Sequence, residues 1–177
     1  MEDGACKSKF LSFVEENERC FDRSLSEGHV TASAWLLSHD QSKVLLTHHR
    51  KLNLWIQLGG HCEEGDADPL SAAVREAREE SGLFSIEALR TDLFDIDIHL
   101  FPASLKVPAH FHYDVRFLLR ATDPEEKILI SEESNQLKWI EFHDLGQLIT
   151  DPSVIRLFLK WKRSDFICTH SQLADKR

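Results

Sequence analysis

The stretch GGHCEEGDADPLSAAVREAREESGL, residues 59–83, decides how the rest of the chain is read. Asp68-Pro69 is a strong helix start, with Asp68 as N-cap and Pro69 at the first helical position. Gly82 is a stop signal, and Leu70, Val74 and Ala77 give the helix one apolar face. Glu76, Glu79 and Glu80 stand at i, i+3 and i+4, so all three carboxylates project from one face. Like charges at this spacing cost about 0.2–0.5 kcal/mol per pair. They also sit near the C-terminal end, where the helix dipole disfavours anions. Arg75 relieves part of the repulsion through Glu79 at i+4, with Arg78 nearby. A bound divalent cation would turn the repulsion into ligation. Hard oxygen ligands with no cysteine among them suit Mg2+, with Mn2+ as the alternative. Ala72 and Ala73, one turn earlier, keep the face open to a substrate. The plainer reading of the same residues is a solvated helix rich in Glu and Arg.

Upstream, NLWIQL (53–58) reads as a short strand running into Gly59-Gly60. VTASAWLLS (30–38) is a strand turned by Asp40-Gln41-Ser42 into KVLLT (43–47). SKFLSFVEENERCFDR (8–23) places Phe10, Phe13, Val14 and Phe21 roughly at helical spacing, which predicts a short helix packed onto the domain. Downstream, FDIDIHL (94–100) and HFHYDVRFLL (110–119) alternate strictly, across a loop with Pro102 and Pro108. LKWIEF (137–142) is a later strand, and PSVIRLFLKWK (152–162) an amphipathic closing helix. The expected organisation is a helical extension over 1–25, one domain over 26–163, and a frayed tail over 164–177. Strands before and after a central helix imply a mixed sheet with helices on its faces.

A length of 177 residues suits one domain with a hydrophobic core. The formal net charge of -9 argues against general affinity for nucleic acid or anionic membrane. It also requires metal ions or a local basic cluster wherever an anion binds. Cys6, Cys20, Cys62 and Cys168 are scattered without a CxxC pair, which argues against a cysteine zinc site or a disulfide framework. Free thiols in a reducing cytosol fit them. The polar start MEDGACKSKF is no secretory signal, and no apolar run nears the ~20 residues that span a bilayer. The expected location is the cytoplasm. The oligomeric state, a homodimer included, stays open.

The Gly-Gly pair, the acidic loop EEGD and then REAREESGL (75–83) resemble the Nudix box, G-x5-E-x7-R-E-U-x-E-E-x-G-U, with U a bulky aliphatic residue. The second half matches at every fixed position, with Ala77 a small stand-in for U. The first half departs from it. Five residues separate Gly60 from Asp66, which stands in place of Glu, and eight residues, not seven, separate Asp66 from Arg75. One extra loop residue, absorbed before the Asp68 cap, accounts for the count. It leaves open whether Glu64 or Asp66 pairs with Arg75. Leu58 also stands where many relatives have Pro.

The resemblance implies an α/β (α+β) fold, a Nudix-like α/β/α sandwich with a mixed β-sheet and the catalytic helix after a Gly-Gly loop. It implies a Mg2+-dependent pyrophosphohydrolase whose small-molecule substrate is a diphosphate linked to another group, commonly a nucleoside diphosphate derivative. By position in the box, Glu76, Glu79, Glu80 and the carbonyl of Gly59 are metal ligands. A further carboxylate comes from Glu132 or Glu133, ahead of Trp139, with Glu133 assigned. Glu79 or Glu80 also deprotonates the attacking water. Arg75 joins the catalytic set by holding loop against helix. His48, His49, Arg50 and Lys51 meet phosphate, Arg50 foremost, or form a plain solvated turn. Trp35 and Trp55 read as core packing, and His61 and Cys62 carry no role. A non-catalytic Nudix-fold nucleotide-binding or regulatory domain is the alternative, but such domains usually lose box glutamates that this chain keeps. An isoprenoid diphosphate isomerase of this fold needs a catalytic cysteine, and only Cys62 is near.

The two alternating strands carry one more signal. His110, His112, Asp114 and Arg116 share a face, as do Asp95, Asp97 and His99. A solvent face usually carries Lys, Glu and Thr. Paired as a hairpin, these residues line a substrate cleft, with His112, Asp114 and Arg116 as substrate contacts. A separate His/Asp site for a transition metal is the other option.

Overall fold

The computed structural model describes residues 2–103, 107–149 and 151–164. Its helices are α1 (Glu2–Glu16), α2 (Pro69–Ser81), α3 (Leu145–Leu148) and α4 (Pro152–Arg163). Its strands are β1 (Gly28–Leu37), β2 (Lys43–His49), β3 (Leu54–Ile56), β4 (Leu58–His61), β5 (Ile86–Ala88), β6 (Asp95–Phe101), β7 (His110–Ala121) and β8 (Ser134–Glu141). The sheet runs β3-β2-β1-β7-β5, with β4 paired to β1, β6 to β7 and β8 to β2. β1 and β7 are parallel, and the other pairs are antiparallel. A parallel pair needs a long crossover, and the segment carrying α2 lies within it.

β1 is buried along its whole length because helices cover both faces of the sheet. Its alternate residues divide between two cores. Val30, Ala32, Ala34 and Leu36 join Phe10 and Phe13 of α1 and Ala73 and Ala77 of α2. Trp35 and Leu37 join Val154, Leu157 and Trp161 of α4. Two cores on opposite faces of one mixed sheet make an α/β/α sandwich, as the resemblance implies. Burying each large side chain contributes roughly 1.5–3 kcal/mol, and the sheet becomes a stiff platform for the groups at its end.

α2 takes the bounds that its punctuation predicts. The Asp68 side chain accepts from the Ser71 N–H at 2.7 Å, and the Asp68 N–H donates to Ser71 Oγ at 2.9 Å. Gly82 closes the helix in the left-handed conformation, φ 70°, and donates to Arg78 O.

α1 differs from its expected place at 8–23. It ends at Glu16 because the backbone N–H and Nδ2 of Asn17 both donate to Phe13 O, at 3.1 and 2.9 Å. Turns then lead to Cys20, whose carbonyl accepts from Val30 N at 2.7 Å. Phe10 and Phe13 pack on Tyr113, whereas Val14 and Phe21 are exposed. Residues 165–177, nearly all of the expected tail, lie outside the described residues. Among the described residues, no helix is long and apolar enough to cross a membrane.

Candidate active site

β4 presses the Gly-Gly pair against α2. Gly59 has φ 152°, and a Cβ there would lie 2.6 Å from Ser33 Cα and 2.7 Å from Ala32 O. No other residue fits without displacing β1. At Gly60 a Cβ would fall 2.6 Å from the Glu76 carboxylate, so its absence lets that carboxylate rest on the strand. The Gly59 N–H donates to Glu80 Oε2 at 3.1 Å. Burial pushes the Glu80 carboxyl up to about 8; the Gly59 N–H opposes the rise, and Glu76, Glu133 and Glu79 add to it. Burial likewise raises Glu76. Glu79 is the open member, with 61% of its side chain exposed.

All three line a cavity of about 480 Å³, and Glu133 lines it too. The Glu133 charge adds to the rise of both Glu76 and Glu80, so this fourth carboxylate stands within electrostatic reach of those two. Converging carboxylates, with Glu76 and Glu80 held above their usual range, are a fitting donor set for a hard divalent ion. Stripped of such ions, the protein should lose stability with rising pH. The raised Glu80 value means that its contribution is complete below about 4.5 and is lost as pH passes about 8. Urea midpoints measured in chelator across this range should fall with pH for the wild type. Glu80→Gln should flatten the slope, and an unchanged slope would refute the assignment.

Arg75 ties the loop to the helix. Its Nε and Nη2 donate to the two Asp66 carboxylate oxygens, each at 3.0 Å, and Nη2 also donates to His61 O at 2.8 Å. Its Nη1 reaches Glu76 Oε1 at 3.0 Å and Glu79 Oε2 at 3.3 Å. The Arg75 hydrogen bond holds the Asp66 carboxyl below the usual range. Asp66 is therefore the partner that the sequence left undecided, and Glu64 is exposed.

The opposite wall is the sheet itself. The strand registers set His29 beside His112 and His99, Thr31 beside Asp114 and Asp97, and Ser33 beside Arg116 and Asp95. This gathers the polar faces of β6 and β7, as their alternation predicts, and adds a third strand. His29, His99, His110 and His112 line the cavity, with His61 from β4. Burial holds His29 and His61 down at about 4 and His112 at about 2, and neighbouring histidines add to the effect, so these rings are neutral at pH 7.

Of the residues expected to touch substrate, His112 and Asp114 line the cavity, and Arg116 and Arg50 do not. The Arg116 side chain is 1% exposed and meets Asp114 at 2.8 Å, Asp97 at 3.1 Å and Asp95 at 3.5 Å. Asp114 reaches the cavity floor, but its oxygens already accept from Thr31, Ser33, Gln57 and Arg116. Arg156 and Lys160 of α4 join Asp95, and Arg156 joins Asp97, so three cations meet three carboxylates. The network welds α4 to the sheet. Arg50 is also outside the cavity lining; its backbone N–H donates to Glu133 O at 2.9 Å and its Nη2 to Ser134 O at 3.3 Å. It holds the segment that carries Glu133, while its neighbours His49 and Lys51 line the cavity. Glu132 does not line the cavity. Trp35 lies in the core, as read from the sequence, and Trp55 packs at its margin. Burial drives the Cys62 thiol up to about 12, which leaves it inert as a nucleophile.

An acidic helix face, a Gly-Gly strand and a cleft meet at one end of an α/β/α sandwich. The family model described as NUDIX domain matches residues 28–162, and the chain belongs to the Nudix family, as a Nudix hydrolase. A comparison with curated proteins finds no match. The fold is similar to the C. elegans Ap4A hydrolase in a binary complex, at 19% identity and TM-score 0.59, covering 75% of this chain and 94% of that one. It is similar to the M. smegmatis Nudix hydrolase RenU, at 18% identity and TM-score 0.57, covering 81% and 88%. The NUDIX domain of Shewanella oneidensis NrtR, complexed with ADP ribose, aligns at 19% identity and TM-score 0.55, covering 86% and 96%. At these identities the likeness is one of fold.

Proposed function

We propose that the protein hydrolyses a diphosphate linkage in a nucleoside diphosphate derivative, with Mg2+ as cofactor and Mn2+ as a substitute. The observation that carries this reading is the meeting of Glu76, Glu79, Glu80 and Glu133 beside Gly59 in one cavity. Its volume falls within the ~300–1,000 Å³ of small-molecule sites. Glu76, Glu79, Glu80 and the Gly59 carbonyl would hold the ion, with Glu133 as a further carboxylate. Such an ion, when bound, neutralises diphosphate charge and makes water a better nucleophile at neutral pH.

The chain's own residues do the rest. Glu79, the exposed glutamate, takes the proton of the attacking water, while Glu80 is anchored on the Gly59 N–H. Arg75 fixes Glu76 and Glu79 against the loop. Lys51 and Arg23 line the cavity and offer positive charge to phosphate in a chain of net charge -9. His112 lies in the wall that the rest of the substrate meets. Residues 26–163 are the working unit of a cytoplasmic protein with no nucleic-acid or membrane partner.

Purified protein should be screened with Mg2+ against nucleoside diphosphate sugars, alcohols and dinucleotides. Turnover of at least one class, abolished by chelator, is expected. Binding without turnover across the panel would point instead to a sensing domain.

A further inference from the structure

We propose that His29, His110 and His112 form a second metal site, for a zinc-class transition ion, on the sheet wall of the cavity. One ligand atom from each lies within 4.8 Å of the others. His110 Nε2 and His112 Nε2 are 3.2 Å apart. Two nitrogens bound tetrahedrally to zinc at ~2.0–2.1 Å stand about 3.3 Å from each other, so this pair already has ligand spacing.

The second observation is independent of that spacing. His29 is 1% exposed, and both of its ring nitrogens lack a hydrogen-bond partner among the described residues. A buried polar group left without a partner costs about 1–3 kcal/mol, and it calls for a water or an ion as partner. Here the ring lies against the other two, with centroids 5.0 Å from each. The tautomer of His110 also fits. Its Nδ1 donates to Pro108 O at 2.8 Å, which leaves the Nε2 lone pair aimed at the cluster. Strand register brings the three together, because His29 of β1 pairs directly with His112 of β7 and His110 lies two residues earlier on the same face.

Three neutral imidazoles suit zinc, cobalt, nickel or iron, and they offer little to magnesium. Three protein ligands leave a fourth position, which here opens to the cavity and takes water or a substrate oxygen. The proposal stands on the histidine geometry and does not depend on the hydrolase reading.

Tag-free protein, stripped with chelator and returned to excess Mg2+, should be titrated with Co2+ and followed by its visible absorption. One equivalent should bind with the intense bands of a tetrahedral ion, and Zn2+ should displace it. His110→Ala and His112→Ala should each weaken Co2+ binding by more than the ~10–100-fold that loss of an outer partner costs. His29→Gln, near in volume, should do the same, with circular dichroism confirming the fold; His110 is only partly buried and serves if His29→Gln does not fold. The Glu79→Gln/Glu80→Gln double variant should still give the tetrahedral spectrum. Absence of that spectrum in the wild type, its survival in the histidine variants, or its loss in the glutamate variant alone would each overturn the site.

Discussion

Replacing Glu79 by Gln should cut turnover by roughly 10²–10⁴-fold, the range expected when a positioned acid–base group is removed, and replacing Glu80, a proposed ligand of the ion, should also cut it. The two changes should act differently on the folded chain. Glu79 is exposed and lies 3.3 Å from Arg75, so its neutralisation removes a weak surface pair and leaves stability nearly unchanged. Glu80 is buried with a raised carboxyl, so Glu80→Gln should leave the metal-free protein as stable as the wild type or more stable at pH 8. Steady-state kinetics on a substrate found by the panel, with melting curves in chelator, measure both effects. Wild-type turnover by either variant would remove the glutamates from the mechanism.

Arg116→Met should destabilise the fold by about 3–5 kcal/mol, the cost of breaking a buried ion pair. That is a large part of the ~5–15 kcal/mol that holds a domain together. The change strands Asp114, whose side chain is 1% exposed, and weakens the hold on Asp95 at 2%. The remaining partners, Arg156 and Lys160, come from the half-exposed face of α4 and bond Asp95 and Asp97, not Asp114. Arg116→Lys should rescue little, because a single ammonium cannot serve three carboxylates on a planar fork. Burial opposes ionisation of Asp97, but the His99 hydrogen bond and the charges of Arg116 and Arg156 outweigh it and hold its carboxyl below the usual range. The Asp97 contribution is thus present above the ordinary aspartate value and is lost as pH falls below it. Urea denaturation at pH 7 measures the Arg116 effect. A loss under ~1 kcal/mol, as for a surface pair, would show that the network carries little.

Much of this was legible in the residues. Asp68, Pro69 and Gly82 act through local chemistry, so α2 and its acidic face are where the sequence puts them. The alternation of β6 and β7 likewise foretold a shared polar face, because side-chain direction in a strand has period two. What that face does was not legible. Its lower half is neutralised by Arg156 and Lys160, which read as the solvent side of an amphipathic helix. His29, Thr31 and Ser33 went unnoticed as a polar row because they interleave with Val30, Ala32 and Ala34 in a strand that looks uniformly buried. Only their parity in the sequence marks them, and pairing with β7 gives that parity meaning. The extent of α1 depended on the Asn17 side chain closing the helix, a contact that apolar spacing does not encode. Arg50 and Lys51 are adjacent, yet the cavity takes Lys51 alone of the two. A bulge in the pairing of β2 with β8 at His48 and His49 resets the direction just before them.

The most direct test of the account is a Mn2+ titration of tag-free protein, followed by electron paramagnetic resonance, in the wild type and in the Glu76→Gln/Glu79→Gln/Glu80→Gln variant. The wild type should bind Mn2+ and Mg2+ should compete it off, while the triple variant, folded by circular dichroism, should leave the Mn2+ signal that of the free ion. Equal Mn2+ binding by the two proteins would contradict the placement of the divalent ion on α2, and with it the proposed hydrolysis.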